Sequence, residues 1–321
     1  MRYLSDILKY LAGRQFAADS YTLLWEDIEM MKKLAAMLLT GVMALSLAAC
    51  GGSTGTATNT DSAEENGGAV EAAATEDAGA ATDETTFVVG FDAEYPPYGY
   101  LDEATGDYTG FDLELAEELC KRRGWTLVKQ PINWDNKDAE IDSGTIDCIW
   151  NGMTCTGPDR ENAYTWSKPY VNNSIVVAVM ADSDIQTPAD LAGKVVIVQS
   201  DSSAETALKS DELAELAGTF ADLQRNPSYN TCFTDLQSGA VDAVAVDIGV
   251  ARYQMRNKPD TFRILDEPIS TEKYGIAFKL GNEALRDQVQ ETYDEMLADG
   301  TVMKIAEKYA DDSLPDMLIT E

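Results

Sequence analysis

The rhythm of apolar and polar positions changes several times along this chain, and the changes divide it. From Leu34 to Leu47 the residues are apolar except for Thr40, Gly41 and Ser46. Lys32 and Lys33 precede that run, and small residues lead from it to Cys50. A charged start, a short apolar stretch and a small-residue end predict a secretory signal peptide over 31–49, too short for a comfortable spanning helix. A single membrane anchor that stays in place is the alternative. Residues 1–30 carry apolar and aromatic side chains but precede a complete signal. They are expected to be a spurious or non-essential leader, with translation starting at Met30 or Met31, unless they form a genuine long leader.

From Gly51 to about Thr85 the pattern vanishes. Ala, Gly, Thr, Ser, Asp and Glu dominate, with no Lys, Arg or aromatic residue. Such a stretch cannot bury enough apolar surface to order itself, so 50–85 is expected to be a flexible acidic linker. A ligand-binding acidic tail is the other reading of it.

From Phe87 onward short apolar runs alternate with helical periodicity. Phe87 to Gly90 predicts a strand. Phe111, Leu115 and Leu119 fall on one helical face, with Asp112 as the expected cap, Lys121, Arg122 and Arg123 in the last turn and Gly124 as the stop. The alternation predicts α/β layers with mainly parallel strands. One segment echoes another: Ser143-Gly144-Thr145-Ile146-Asp147-Cys148-Ile149 matches Ser238-Gly239-Ala240-Val241-Asp242-Ala243-Val244. Each reads as a helix end, a glycine turn and a buried strand, which predicts two similar lobes unless the match is chance.

Composition narrows the function. The net charge is −32, and residues 1–49 carry five basic and five acidic side chains, so the remainder holds the whole excess. That opposes binding to nucleic acid or to an anionic membrane surface. The absence of His removes the commonest general base and metal ligand, and none of the five Cys forms a CxxC pair. No cofactor or metal is implied.

In open α/β sheets ligands bind beyond the carboxyl ends of strands, so the residues after the two echo strands matter: Asn151 to Thr156, and Asp247. Arg160, beyond the first, suits bidentate recognition of a carboxylate, or is a surface turn residue. Gly152 permits close approach to the backbone, and Thr154 adds a hydroxyl and an N–H. Asp247 can pair with an ammonium group, cap the helix from Ile248, or both. Ser200 to Ser203 precedes a helix start, which is either an anion site or a plain cap. Tyr95 and Trp134 supply apolar walls or core.

These segments also carry a resemblance. VVGFDAEYPPYGYLD (Val88 to Asp102), YTGFDLELAEELCKRRGW (Tyr108 to Trp125), DSGTIDCIWNGMTCT with Arg160, DLAGKVVIVQSDSSAETAL (Asp190 to Leu208), TDLQSGAVDAVAVD (Thr234 to Asp247), EKYGIAFKLGNEAL (Glu272 to Leu285) and DGTVMKIAEKY (Asp299 to Tyr309) occur in order. Together they resemble family 3 of the bacterial extracellular solute-binding proteins, the polar amino acid receptors of ABC importers. The resemblance implies a type II periplasmic-binding-protein-like α/β fold of two lobes joined by two crossing strands. Lobe 1 would be 86–172 with 275–321, and lobe 2 173–274. It implies capture of a free, polar amino acid by a monomer that closes on it and delivers it to permease subunits.

By the same resemblance, Arg160 would hold the ligand α-carboxylate beside Ser203. Asp247 would hold the α-ammonium, helped by Gly152 and Thr154, while Asp92, Tyr95 and Trp134 would line the side-chain pocket. LAAC (Leu47 to Cys50) resembles a lipobox, which implies acylation at Cys50 and a lipid anchor on the extracytoplasmic face of the cell membrane. The chain departs from the family pattern twice. Thr156 and Arg160 are four steps apart where the family has three, and Asp201 stands where the family often has Gly. Lys137, near Trp134, bears on the side-chain preference. The alternatives are a cyclohexadienyl or arogenate dehydratase using Asp92 or Glu94, and a ligand-sensing subunit. The state of Cys120, Cys148, Cys155 and Cys232 stays open, since an extracytoplasmic site permits disulfides.

Overall fold

The computed structural model describes residues 85–256 and 258–320. The leader, the signal segment, Cys50 and all of the linker but its last residue lie outside the described residues.

Strand β1 (Thr86–Phe91) buries Phe87, Val89 and Phe91. A small antiparallel sheet follows, of β2 (Glu94–Tyr95), β3 (Gly99–Leu101) and β4 (Tyr108–Thr109). The helix Phe111–Arg123 then returns the chain to β5 (Thr126–Pro131), which pairs with β1 in parallel. This helix buries Phe111, Leu115 and Leu119, and its end carries all three basic residues. Gly124 stops it at φ 67°, a left-handed turn that glycine adopts without a Cβ penalty. Asp112 does not cap the helix, as the sequence suggested. The N-cap is Gly110, and Asp112 turns inward, fully buried, to accept from the Gly152 amide at 2.6 Å and the Tyr170 hydroxyl at 2.8 Å.

Helix Lys137–Ser143 and β6 (Cys148–Thr154) lead to the short helix Pro158–Glu161, then β7 (Thr165–Trp166) and the long β8 (Val171–Met180). Next come β9 (Val195–Gln199), helix Ser203–Lys209, β10 (Asp222–Asn226), helix Tyr229–Ser238, β11 (Ala243–Asp247) and helix Ile248–Arg256. The chain continues through β12 (Phe262–Ile264) and the long β13 (Ser270–Phe278) to helices Glu283–Ala298 and Thr301–Ala306.

Among the described residues, ten strands form one sheet whose main path runs β10-β9-β11-β8-β13-β6-β1-β5. Its two ends are built alike. β1 lies between β5 and β6 in parallel, and β9 lies between β10 and β11 in parallel. The echo segments produce this likeness. Ser143 and Ser238 each end a helix, Gly144 and Gly239 cap those helices at φ 77° and 75°, and Asp147 and Asp242 each accept from the first strand of their half. The acceptor contacts match: Val88 N to Asp147 and Val195 N to Asp242, both at 2.7 Å. A carboxylate that satisfies an edge amide at the start of a parallel strand fixes the register of the strands on either side.

The two long strands connect the halves by register. The first part of β8 pairs with β13 from Val171 to Ile175, and its second part pairs with β11 from Ile175 to Val179. β13 pairs with β8 up to Tyr274 and with β6 from Tyr274 onward. Apolar side chains cover both faces of these strands, as continuous runs such as Ile175 to Val179 require.

Candidate ligand-binding site

A narrow cavity lies where the carboxyl ends of β6, β9 and β11 converge. β6 contributes Asn151, Gly152, Met153 and Thr154. The turn after β9 contributes Gln199, Asp201, Ser202 and Ser203, and β11 contributes Asp247. Tyr95, Trp134 and Arg160 complete the lining. Of the residues singled out in the sequence, Tyr95, Trp134, Gly152, Thr154, Arg160, Ser203 and Asp247 therefore share one cavity. Asp92 does not line it. Its carboxylate is buried behind Gln199, whose amide donates to it at 2.6 Å, while the Glu94 amide takes the other oxygen at 2.9 Å. Burial raises the Asp92 pKa.

Arg160 enters on the short helix Pro158–Glu161, entered through Gly157 at φ 100°. The extra residue after Thr156 is absorbed by this turn. The Arg160 carbonyl accepts from the Trp166 indole at 2.9 Å, which anchors the backbone, and its guanidinium has no carboxylate partner among the described residues. It is a positive group that lines the cavity and can offer several N–H donors.

Asp247 is 1% exposed, at the end of β11. It accepts from Asn173 at 2.7 Å and from the Tyr274 hydroxyl. Burial raises its pKa against those hydrogen bonds. Beside it stands Glu272, which the sequence reading placed in a matching segment without a role. Glu272 accepts from the Asn173 amide at 2.8 Å and from the Ser203 hydroxyl at 3.0 Å. Burial, then the charge of Asp247, push its pKa up to about 7. One amide thus bridges two acids on different strands. Two carboxylates this close repel, and a cation between them relieves the repulsion. Glu272 also lines a neighbouring cleft that shares Thr154, Arg160 and Ser203 with the cavity.

Three expectations acquire different physical reasons. Gly152 sits at φ 57°, and its amide is committed to Asp112. An added Cβ would meet the rings of Tyr274 at 3.0 Å and Tyr95 at 3.1 Å, so the glycine admits aromatic side chains as well as bending the strand. Ser203 turns its hydroxyl to Glu272, and Ser202 caps the helix through the Glu205 amide at 3.2 Å. Asp201, at φ 56°, forms an ion pair with Lys137. Asn173, Glu272, Gln199 and Tyr274 were not picked out from the sequence, because their meeting depends on strands far apart in the chain. The signal that pointed nearest was the charged pair Glu272-Lys273 just before the apolar second half of β13. Cys120, Cys148, Cys155 and Cys232 are buried free thiols. Burial pushes Cys120 and Cys232 up to about 12 and Cys155 to about 11.

Comparison with known proteins agrees with this geometry. The chain matches the bacterial extracellular solute-binding proteins, family 3, over residues 87–312. It is 32% identical over 226 residues to the L-cystine-binding protein TcyJ of Escherichia coli (strain K12), covering 70% of this chain and 82% of that one. It is 28% identical over 282 residues to the arginine-binding extracellular protein ArtP of Bacillus subtilis (strain 168), covering 87% and 98%. The structure of an ancestral arginine-binding protein bound to arginine superposes with a TM-score of 0.65 at 34% identity, covering 70% of this chain and 98% of that one. With a family match across most of its length and a cavity at the strand ends lined by a guanidinium and a buried acid, this chain belongs to family 3 of the bacterial extracellular solute-binding proteins.

Proposed function

We propose that this protein is the extracytoplasmic amino acid-binding component of an ABC importer, and that it recognises the zwitterionic head common to free amino acids. The observation that carries the reading is one cavity lined by both Arg160, whose guanidinium has no acid partner among the described residues, and the buried Asp247. A carboxylate fits the first and an ammonium the second. Glu272, joined to Asp247 through Asn173, extends the acidic side toward Thr154 and Ser203.

The fold reading is that of two lobes hinged on β8 and β13, with lobe 1 at 86–172 and 275–321 and lobe 2 at 173–274. The continuous strand register through Val171 to Ile175 and Ser270 to Tyr274 supports it. Arg160 then belongs to one lobe and Asp247 to the other, so a zwitterion touching both favours the closed arrangement. That shift in population is the signal to the permease. The chain is a binding protein and not an enzyme, in keeping with the relatives it matches. A dehydratase would need Asp92 or Glu94 over its substrate. Asp92 is committed to Gln199 and the Glu94 amide, and Glu94 is exposed.

Among the described residues no helix is long and apolar enough to cross a membrane. The anchor we propose is an acylated Cys50 following a signal peptide at 31–49, with residues 50–85 as a tether and residues 1–30 dispensable. Metabolic labelling with a fatty acid tests it: label in the wild type and none in Cys50→Ser is expected, and label retained in Cys50→Ser would end the lipoprotein reading. The binding function is tested by a thermal-shift screen of the free amino acids, cystine and ornithine. A ligand that binds only the folded state raises its melting temperature, by roughly 2.7 kcal/mol of stability at 100 times Kd. The absence of any shift, with a folded protein, would overturn the assignment.

A further inference from the structure

We propose that Lys137 is a specificity-determining residue: its ammonium already engages the Trp134 ring and the Asp201 carboxylate that a cationic ligand side chain would need, so the protein takes neutral amino acids and discriminates against arginine and lysine. The inference rests on the amino acid-binding reading and deepens it. Lys137 opens the helix Lys137–Ser143 and is 1% exposed. Its ammonium lies 5.1 Å from the centroid of the Trp134 ring, donates to the Trp134 carbonyl at 3.4 Å and pairs with the Asp201 carboxylate. Trp134 and Asp201 both line the cavity.

An aromatic face beside a carboxylate is the arrangement that holds a guanidinium or an ammonium group. Here the protein supplies that cation from its own chain. A second cation at the same face would meet Lys137 at short range, with Asp201 already neutralised. Asp201 adds an independent observation. It is a non-glycine residue at φ 56°, a backbone region that disfavours most side chains. Its amide donates to Glu205 at 2.7 Å, which fixes the turn so that the carboxylate reaches across to Lys137. Lys137 and Asp201 thus join the β6 side of the cavity to the β9 side, and they cancel each other's charge. Two further acids near this end are engaged within the protein, Asp92 by the Gln199 amide and Asp138 by the Tyr164 hydroxyl. Among the described residues, Arg160 and Asp247 line the cavity with charges available to the α-carboxylate and α-ammonium, and Glu272 lies beside Asp247.

Calorimetric titration of the purified mature protein with glutamine, cystine, arginine and glutamate tests this. The wild type is expected to bind a neutral amino acid in preference to arginine. In Lys137→Ala, which frees the Trp134 face and the Asp201 carboxylate, the affinity ratio should move toward arginine by roughly 10- to 30-fold, the scale of a desolvated cation–π contact. Lys137→Gln, which fills similar space without the charge, should move it in the same direction by less, and it carries the test if the alanine variant does not fold. Asp201→Asn should instead favour glutamate, because it leaves a buried ammonium without its acid. Arginine as the preferred wild-type ligand, or an unchanged ratio in both Lys137 variants, would overturn the inference and leave amino acid binding standing. No binding of any amino acid by any of the proteins would overturn both.

Discussion

A methyl group added at Gly152 would crowd three tyrosine rings, those of Tyr274, Tyr95 and Tyr98, on a backbone already in the left-handed region. Gly152→Ala should therefore destabilise the protein by about 1–3 kcal/mol through strain and overpacking, read as a lower urea midpoint with an unchanged slope. Arg160 and Asp247 differ in kind, since their charges serve the ligand. Asp247 is buried with a raised pKa, and the Arg160 guanidinium has no acid partner among the described residues. Removing one member of a desolvated charge pair typically costs about 2–5 kcal/mol, or roughly 30- to 4000-fold in affinity. Arg160→Ala and Asp247→Ala should each nearly abolish amino acid binding; the free Arg160→Ala protein should melt near the wild-type temperature, while Asp247→Ala, which strips Asn173 and Tyr274 of their acceptor, should melt lower. Titration of both with the best ligand checks this, and near wild-type affinity in Arg160→Ala would remove the carboxylate assignment.

At the scale of elements, β8 and β13 do more than connect. Asn173 on β8 spends its amide hydrogens on Asp247 and on Glu272 of β13, so the acidic side of the site is assembled from three strands. The pKa of Glu272, at about 7, makes this assembly sensitive to pH. A bound ammonium favours the ionised carboxylates. Below pH 7 Glu272 holds a proton that binding must displace, so amino acid affinity should fall from pH 8 to pH 6, and binding at pH 7 should release protons. Titrations in buffers of different ionisation enthalpy measure that release directly. Affinity independent of pH over this window would mean that Glu272 does not sense the ligand. Asn173→Leu should strip both acids of their shared donor and weaken binding without altering the register of the flanking strands.

For the whole molecule, buried acids set an unusual stability profile. Burial pushes Asp112 and Glu272 up to about 7 and Asp312 up to about 6. In the unfolded chain such groups titrate near 4. Between those values the folded state binds more protons than the unfolded state, so stability must decline as pH rises through the window. The net charge of −32 acts in the same sense, because protonation relieves self-repulsion. The ligand-free protein should melt at a higher temperature at pH 5 than at pH 8 in scanning calorimetry, and the reverse order would show that other groups dominate.

How much of this was legible in the chain depends on the range of each interaction. Periodicity and glycine positions foretold the helix Phe111–Arg123 and its stop at Gly124. The repeated SG-x-x-D segments foretold two halves of like construction, because caps, turns and burial patterns are local. Strand ends pointed to Gly152, Thr154, Arg160 and Asp247, since in open sheets ligands bind at that edge. The partners of each residue were not legible. Asp112 looked like a cap and is a buried acceptor for a glycine 40 residues away. Ser203 looked like a ligand donor and serves Glu272, and Asp92 stands behind Gln199 outside the cavity. Asp201 stood out only as a departure from the family pattern, and the structure pairs it with Lys137, 64 residues away in the chain. The sequence by itself determined the elements, the family and the chemical types at the strand ends. Only the tertiary structure decided which charges cancel within the protein and which remain for a ligand, because that depends on distances between residues the chain does not hold near one another.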